Sequence, residues 1–224
     1  MNLQGWKKYR SQIAWGIVFL LVAGFVTRVA IWEKHYYESK EGSERPKTQI
    51  ITEIEVDETE ITPAQRTEYN VAPGLPRYLT ISKIGITNAR IFPVKQLANG
   101  EISTPRSIFD VGWYNQSGKP GAGGTMLLDG HNGGPTKVGV FKYLPDLVPG
   151  DLITIQRGGD NTVFTYEVVE NQTYSIKEAN RNMYKMLESP VKGKESLSII
   201  TCTGEWSQIQ KTYLSRQLLR AVLK

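Results

Sequence analysis

Leu197-Ser198-Ile199-Ile200-Thr201-Cys202-Thr203-Gly204 reads as an apolar strand running into a turn, and it carries the only cysteine of the 224-residue chain. A single thiol cannot form half of an internal disulfide, so Cys202 is either packed away as a small apolar residue or kept because its sulfur is used. Ile199 and Ile200 favour the first reading, and a nearby general base would favour the second. Only two histidines are available for that task. His35 follows an apolar N-terminal run directly and is the weaker candidate. His131 follows the strand-like Gly124-Thr125-Met126-Leu127-Leu128 within Asp129-Gly130-His131-Asn132-Gly133. Taken alone, it also reads as a turn residue among turn formers.

Working outward, short β-rich runs broken by Gly, Pro and Asn recur from residue 78 to the end. They are Tyr78–Ile81, Ala89–Phe92, Gly124–Leu128, Leu152–Ile155, Val163–Val169, Leu197–Ile200 and Leu214–Leu223. Such spacing suggests an all-β sandwich or barrel. Val140–Leu144 and Glu178–Leu187 are the expected short helices. In the last strand Arg216, Leu218 and Arg220 share one face through the two-residue alternation of side chains. A guanidinium there offers paired donors to a carbonyl oxygen or carboxylate. Its bland alternative is a solvated surface charge.

Ahead of these strands, Lys7-Lys8-Tyr9-Arg10 precedes an apolar run from Ile13, and Ile13–Trp32 holds one charge, Arg28. The run is near the roughly 20 residues a bilayer crossing needs. Trp15 and Trp32 stand where interfacial aromatics belong, and the basic cluster marks the cytoplasmic side. The expected organisation is a cytoplasmic N-terminus over 1–12, a transmembrane anchor over 13–32, an acidic extracellular stalk over 33–75 and a folded domain over 76–224. The competing reading of the apolar run is a cleaved signal peptide. The stalk assignment rests on charge: residues 33–76 hold ten acidic and five basic side chains, against twelve and eighteen in 77–224. Pro73-Gly74-Leu75-Pro76 is the breaker cluster at the boundary. The net charge of +5 comes without aromatic-basic interleaving or a nucleic-acid motif, which argues against nucleic acid as a partner.

A thiol, an imidazole and a guanidinium are the parts needed for acyl transfer through a thioester. The thiolate attacks a peptide carbonyl, the imidazole protonates the leaving amine, and fixed donors hold the oxyanion. In this order along the chain, the residues resemble a sortase, a membrane-anchored cysteine transpeptidase of bacterial surfaces. Thr201-Cys202-Thr203-Gly204, Arg216 fourteen residues later, and Gly130-His131 after an apolar strand carry the resemblance. Pro76–Ile86 is similar to the family's opening strand. Trp113-Tyr114, Pro120-Gly121 and Gly123-Gly124-Thr125 resemble the approach to its histidine strand. Val140–Leu144 with Pro149-Gly150-Asp151 is similar to the segment after it.

The resemblance implies a closed eight-stranded β-barrel with short flanking helices, preceded by one N-terminal transmembrane helix. It implies Cys202 as nucleophile, His131 as general acid then base, and Arg216 as the group steadying the oxyanion or orienting the substrate. Arg220 is the nearest competitor of Arg216, while Thr201 and Asp129 are flanking candidates. The implied partners are sorting signals of the Leu-Pro-x-Thr-Gly kind and an amine acceptor, either a peptidoglycan precursor or a pilin lysine. No cofactor and no metal are expected. An Asp-Pro-aromatic lid motif and a C-terminal membrane helix are not visible, which tilts the expectation toward a class D, E or F-like member over a pilus-type class C one. The alternatives are another Cys–His cell-wall peptidase and a non-enzymatic extracellular β-barrel interaction module.

Overall fold

The computed structural model describes residues 56–224. The anchor expected at 13–32, the termini flanking it and most of the expected stalk lie outside the described residues. Among the described residues no helix is long and apolar enough to cross a membrane.

Eight strands close into a barrel. They are β1 (Pro76–Ile81), β2 (Ile86–Val94), β3 (Val111–Tyr114), β4 (Thr125–Gly130), β5 (Leu152–Arg157), β6 (Val163–Ser175), β7 (Ser196–Ser207) and β8 (Thr212–Leu223). Around the barrel the order is β1-β2-β3-β4-β7-β8-β6-β5, and the β1–β5 pair closes it. The β2–β3 and β4–β7 pairs are parallel, and the others are antiparallel. Eight strands enclose a space that side chains fill. Leu79, Ile91, Leu128, Ile155, Tyr166 and Leu219 are among those that fill it here. The all-β barrel expected from the sequence is therefore present, with β3 as the strand that the pattern of short runs passes over.

The expected helices are shorter or tighter than read. One α-helix runs from Ile176 to Asn182, started by a capping box in which Ser175 and Glu178 satisfy each other's backbone N–H groups. It continues as a 3₁₀ turn over Met183–Leu187. The Val140–Leu144 segment makes turns and then a 3₁₀ helix over Leu144–Asp146, where Pro145 supplies no N–H for a longer α-helix.

Residues 57–75 are not a free linker. Asp57 pairs with Ser107 as a parallel bridge, and a short helix over Pro63–Glu68 is capped by Thr62 and Gln65. The segment then lies against β1 and β2. Arg77 Nε donates to the Tyr69 carbonyl at 2.9 Å, and the Tyr69 hydroxyl donates to the Ile91 carbonyl. Acidic composition suggested solvation here, but Glu58 and Glu60 are bound by backbone N–H groups and by Lys137.

One face of the β4–β7–β8 sheet points away from the barrel interior. Leu197, Ile199, Leu219 and Ala221 belong to the interior core. Their alternates Ile200 and Leu218 join a second cluster with Leu127, Ala179 and Met186. The Ile176–Leu187 segment thus roofs part of this outer face, and the rest of that face carries the polar residues discussed next.

Candidate active site

Strand register brings the expected residues together. Cys202 on β7 pairs directly with Arg216 on β8, so the two side chains project from the same outer face. On the other side of β7, Gly130 ends β4 opposite Thr201. His131 and Cys202 are therefore the next residues along two parallel neighbouring strands. Thr201 Oγ1 donates to the Gly130 carbonyl at 2.8 Å, a buried bond that pins the end of the histidine strand to the cysteine strand. Thr201 itself is 3% exposed and holds the frame together.

His131 Nε2 lies 2.7 Å from the Pro105 carbonyl oxygen. A carbonyl only accepts, so Nε2 carries the proton and Nδ1 is left with its lone pair for another partner. Burial pushes the imidazole below its usual pKa, partly offset by the Pro105 bond, which favours the charged ring. Cys202 is partly exposed. Burial raises its thiol, the Arg216 guanidinium pulls it back down, and the Asp129 carboxylate pushes it up. Both directions favour an uncharged thiol beside an uncharged imidazole. Such a pair can attack a carbonyl if the proton passes to Nδ1 as the C–S bond forms.

Arg216 Nη1 donates to the carbonyls of Tyr213 at 2.8 Å and Ser215 at 3.0 Å. Nη2 donates to Thr212 Oγ1 at 3.3 Å. Its own strand therefore orients the guanidinium. Arg220 is committed elsewhere: Nη1 binds Glu170 at 3.0 Å and Nη2 the Glu188 carbonyl at 3.1 Å. It fastens β6 and the segment after the 3₁₀ turn to β8, four pairs beyond Arg216 along the β7–β8 ladder.

Asp129 is 7% exposed and shares the outer face with Leu127. Thr104 Oγ1 donates to its Oδ2 at 2.8 Å, while Oδ1 is buried without a partner. That oxygen packs over Gly112, where a Cβ would fall 1.9 Å away. Burial raises the carboxyl to about 7, with the Thr104 bond opposing the rise. The Thr104-Pro105 pair thus braces both Asp129 and His131, a role that nothing in the sequence around Ser103–Ser107 signals.

A cleft of about 470 Å³ lies between the 57–61 segment, β2 and the Ser103–Ser107 loop. Arg90 and Asp110 are part of its lining, and Cys202 and Arg216 are not. Among the described residues no three His, Cys, Asp or Glu side chains are arranged to hold a metal ion.

The structure thus presents a closed barrel with a cysteine on β7, an arginine opposite it on β8 and a histidine just past the end of β4. The sortase domain model matches residues 79–224, and the chain belongs to the sortase family of cysteine transpeptidases. Similar solved structures include the pilus-related sortase C of Group B Streptococcus, with 19% identity, TM-score 0.49 and coverage of 75% of each chain. Sortase A from Corynebacterium diphtheriae has 17% identity and TM-score 0.49, covering 75% of this chain and 72% of that one. A sortase from Actinomyces oris has 17% identity and TM-score 0.47, covering 69% of this chain and 83% of that one. A sequence search of curated proteins gives no match.

Proposed function

We propose that the protein cleaves sorting signals of the Leu-Pro-x-Thr-Gly kind on secreted proteins and transfers them to an amine. Cys202 attacks the carbonyl of the threonine-like residue, and the thiol proton passes to His131 Nδ1. The amide bond breaks as the imidazolium gives that proton to the leaving amine, which leaves a thioester on Cys202. An incoming amine, from a peptidoglycan precursor or a pilin lysine, then attacks the thioester with His131 accepting its proton; the C–S bond breaks, the new amide is released and the proton returns to the Cys202 sulfur. Arg216 supplies donors to the oxyanion in both tetrahedral steps. An anchor at 13–32 would hold the catalytic domain outside the membrane, close to substrates that are still membrane-bound.

The observation carrying this reading is the register that sets Cys202 opposite Arg216 and one step from the end of the histidine strand. The proposed substrate is a peptide carrying such a signal; on the adjoining outer face Ile200 is half-buried, while Leu218 and Met186 are buried. The test mixes the full chain in detergent with a panel of such peptides and a small amine, and follows intact mass. A peptide-sized adduct on the wild type, absent in Cys202→Ala and discharged by the amine, is the expected result. Ready alkylation of Cys202 with no adduct from any peptide would reject this substrate class.

A further inference from the structure

His131 is tied to two loops, its imidazole to one and its backbone to the other, and both loops are bound by the same short segment ahead of the barrel. On one side stands the Ser103–Ser107 loop, whose Pro105 carbonyl accepts from Nε2. Asp57 grips this loop through its backbone: its N–H donates to the Arg106 carbonyl at 2.8 Å, and its carbonyl accepts from the Ile108 N–H at 3.0 Å. On the other side stands the turn leaving His131. Gly139 N–H bonds the Asn132 carbonyl and Phe141 N–H the His131 carbonyl, so movement of this turn reaches the histidine backbone directly.

Glu58 binds the tip of that turn. One carboxylate oxygen accepts from the N–H groups of Thr136 at 2.8 Å and Lys137 at 2.9 Å. The other accepts from Thr136 Oγ1 at 2.5 Å. These bonds draw its carboxyl below the usual range, the Thr136 hydroxyl contributing most. Glu60 adds an ion pair with Lys137 at 3.0 Å. Gly134 gives the carboxylate its seat, since a Cβ there would meet Glu58 Oε1 at 2.3 Å.

We infer that the Asp57–Glu60 segment is a strap that fixes His131 from both sides, through its ring and through its backbone, and that Glu58 is a positioning residue acting on His131 through the 132–139 turn. The inference rests on the transpeptidase reading for its kinetic consequence only; its structural consequence is read without substrate. Misplacing a reacting group by about an ångström can cost up to a hundredfold in rate. Loosening one of two supporting loops is expected to lower kcat about tenfold while leaving KM within about twofold, because the hydrogen bonds of Asp57 and Glu58 to the rest of the domain run to residues 106–108 and 136–137 and not to β7 or β8.

The experiment compares the full wild-type chain with Glu58→Ala, Glu58→Gln and Gly134→Ala, which displaces the carboxylate without altering it. Ring ¹⁵N and ¹³C spectra of histidine-labelled protein report His131, with His35→Gln assigning the only other histidine. The wild type should show a single Nε2–H tautomer with a depressed pKa. Glu58→Ala and Gly134→Ala should show mixed tautomers and a pKa moved up toward about 6.5, and Glu58→Gln should fall between. A merely structural role would lower Tm and leave the His131 spectra and kcat of the folded variants at wild-type values, and that result would overturn the inference. If His131 shifts as expected but even the wild type turns over no peptide, the strap stands and the substrate reading falls.

Discussion

Asp129→Asn isolates a pH-dependent cost that burial imposes on one carboxyl group. Asp129 has one oxygen bonded to Thr104 and the other buried without a partner, and its pKa rises from 3.8 to about 7. In the unfolded chain it titrates near its ordinary value, so the native state binds the extra proton between about pH 4 and pH 7. Where the native state holds more protons, stability falls as pH rises. The contribution is therefore fully present below about pH 4 and lost as pH climbs through 7. At about 1.4 kcal/mol per pH unit the gap amounts to about 4 kcal/mol. Asparagine mimics the protonated acid, since its carbonyl can accept from Thr104 and its amide occupies the place of the unpartnered oxygen. Any fixed cost of that amide is independent of pH, so the pH slope alone carries the signal. Urea unfolding at pH 4 and pH 8 should show the variant gaining about 4 kcal/mol on the wild type between the two conditions. In melting temperature this corresponds to roughly 8–16 °C for a domain of this size. The alkylation midpoint of Cys202 should also move to lower pH, because the carboxylate that opposes the thiolate is gone. Stability curves for the two proteins that run parallel from pH 4 to pH 8 would refute the reasoning.

Two further substitutions test the frame around the site. Arg216→Met should lower kcat/KM by 10²–10³, roughly 2.7–4 kcal/mol for a lost oxyanion donor, and move the Cys202 alkylation midpoint upward, while Arg220→Met should spare turnover in folded protein. Turnover kept by the first variant and lost by the second would exchange their roles. Gly112→Ala drives a Cβ against Asp129 Oδ1, so it should melt well below the wild type, and adding Asp129→Ala should restore much of the loss. Additive losses in that double-mutant cycle would show that the close approach is not the cause.

The barrel was legible because its strands carry strong local signals. β4 is buried along its whole length, and its Met126-Leu127-Leu128 centre reads as a short apolar run, as a strand covered on both faces should. Cys202, His131 and Arg216 stood out as candidates because each is scarce or regularly placed: one cysteine, one histidine after a strand, one of two arginines on an alternating face. Strand β3 was hidden because only four residues form it and one is Gly112, whose missing side chain makes room for Asp129. The strap was hidden for a different reason. Glu53-Ile54-Glu55-Val56-Asp57-Glu58 has the composition of a solvated chain, and composition carries no record of which carboxylate finds three donors 78 and 79 residues away. Arg220 and Arg216 look equivalent in sequence. Their difference arises from Glu170 and the Glu188 carbonyl, contacts that exist only once β6 and the 3₁₀ turn are in place.

The charge state of the cysteine–histidine pair follows from the same outer-face environment. A thiolate–imidazolium pair would place two charges where burial opposes each of them: the thiol is pushed up and the imidazole down. Arg216 favours the thiolate, but Asp129 opposes it and burial is the larger effect. The pair therefore rests uncharged at neutral pH, and the proton moves when a substrate carbonyl is in place to take up the developing charge. Iodoacetamide, which reacts with the thiolate, distinguishes the two states without any peptide. For the resting enzyme its rate should climb once, with a midpoint above that of an ordinary cysteine. The Nε2–H imidazole signal of His131 should stay constant across the neutral range. A second, acid-shifted rise in alkylation, coinciding with a titration of His131, would mean that the ion pair is already populated before substrate binds.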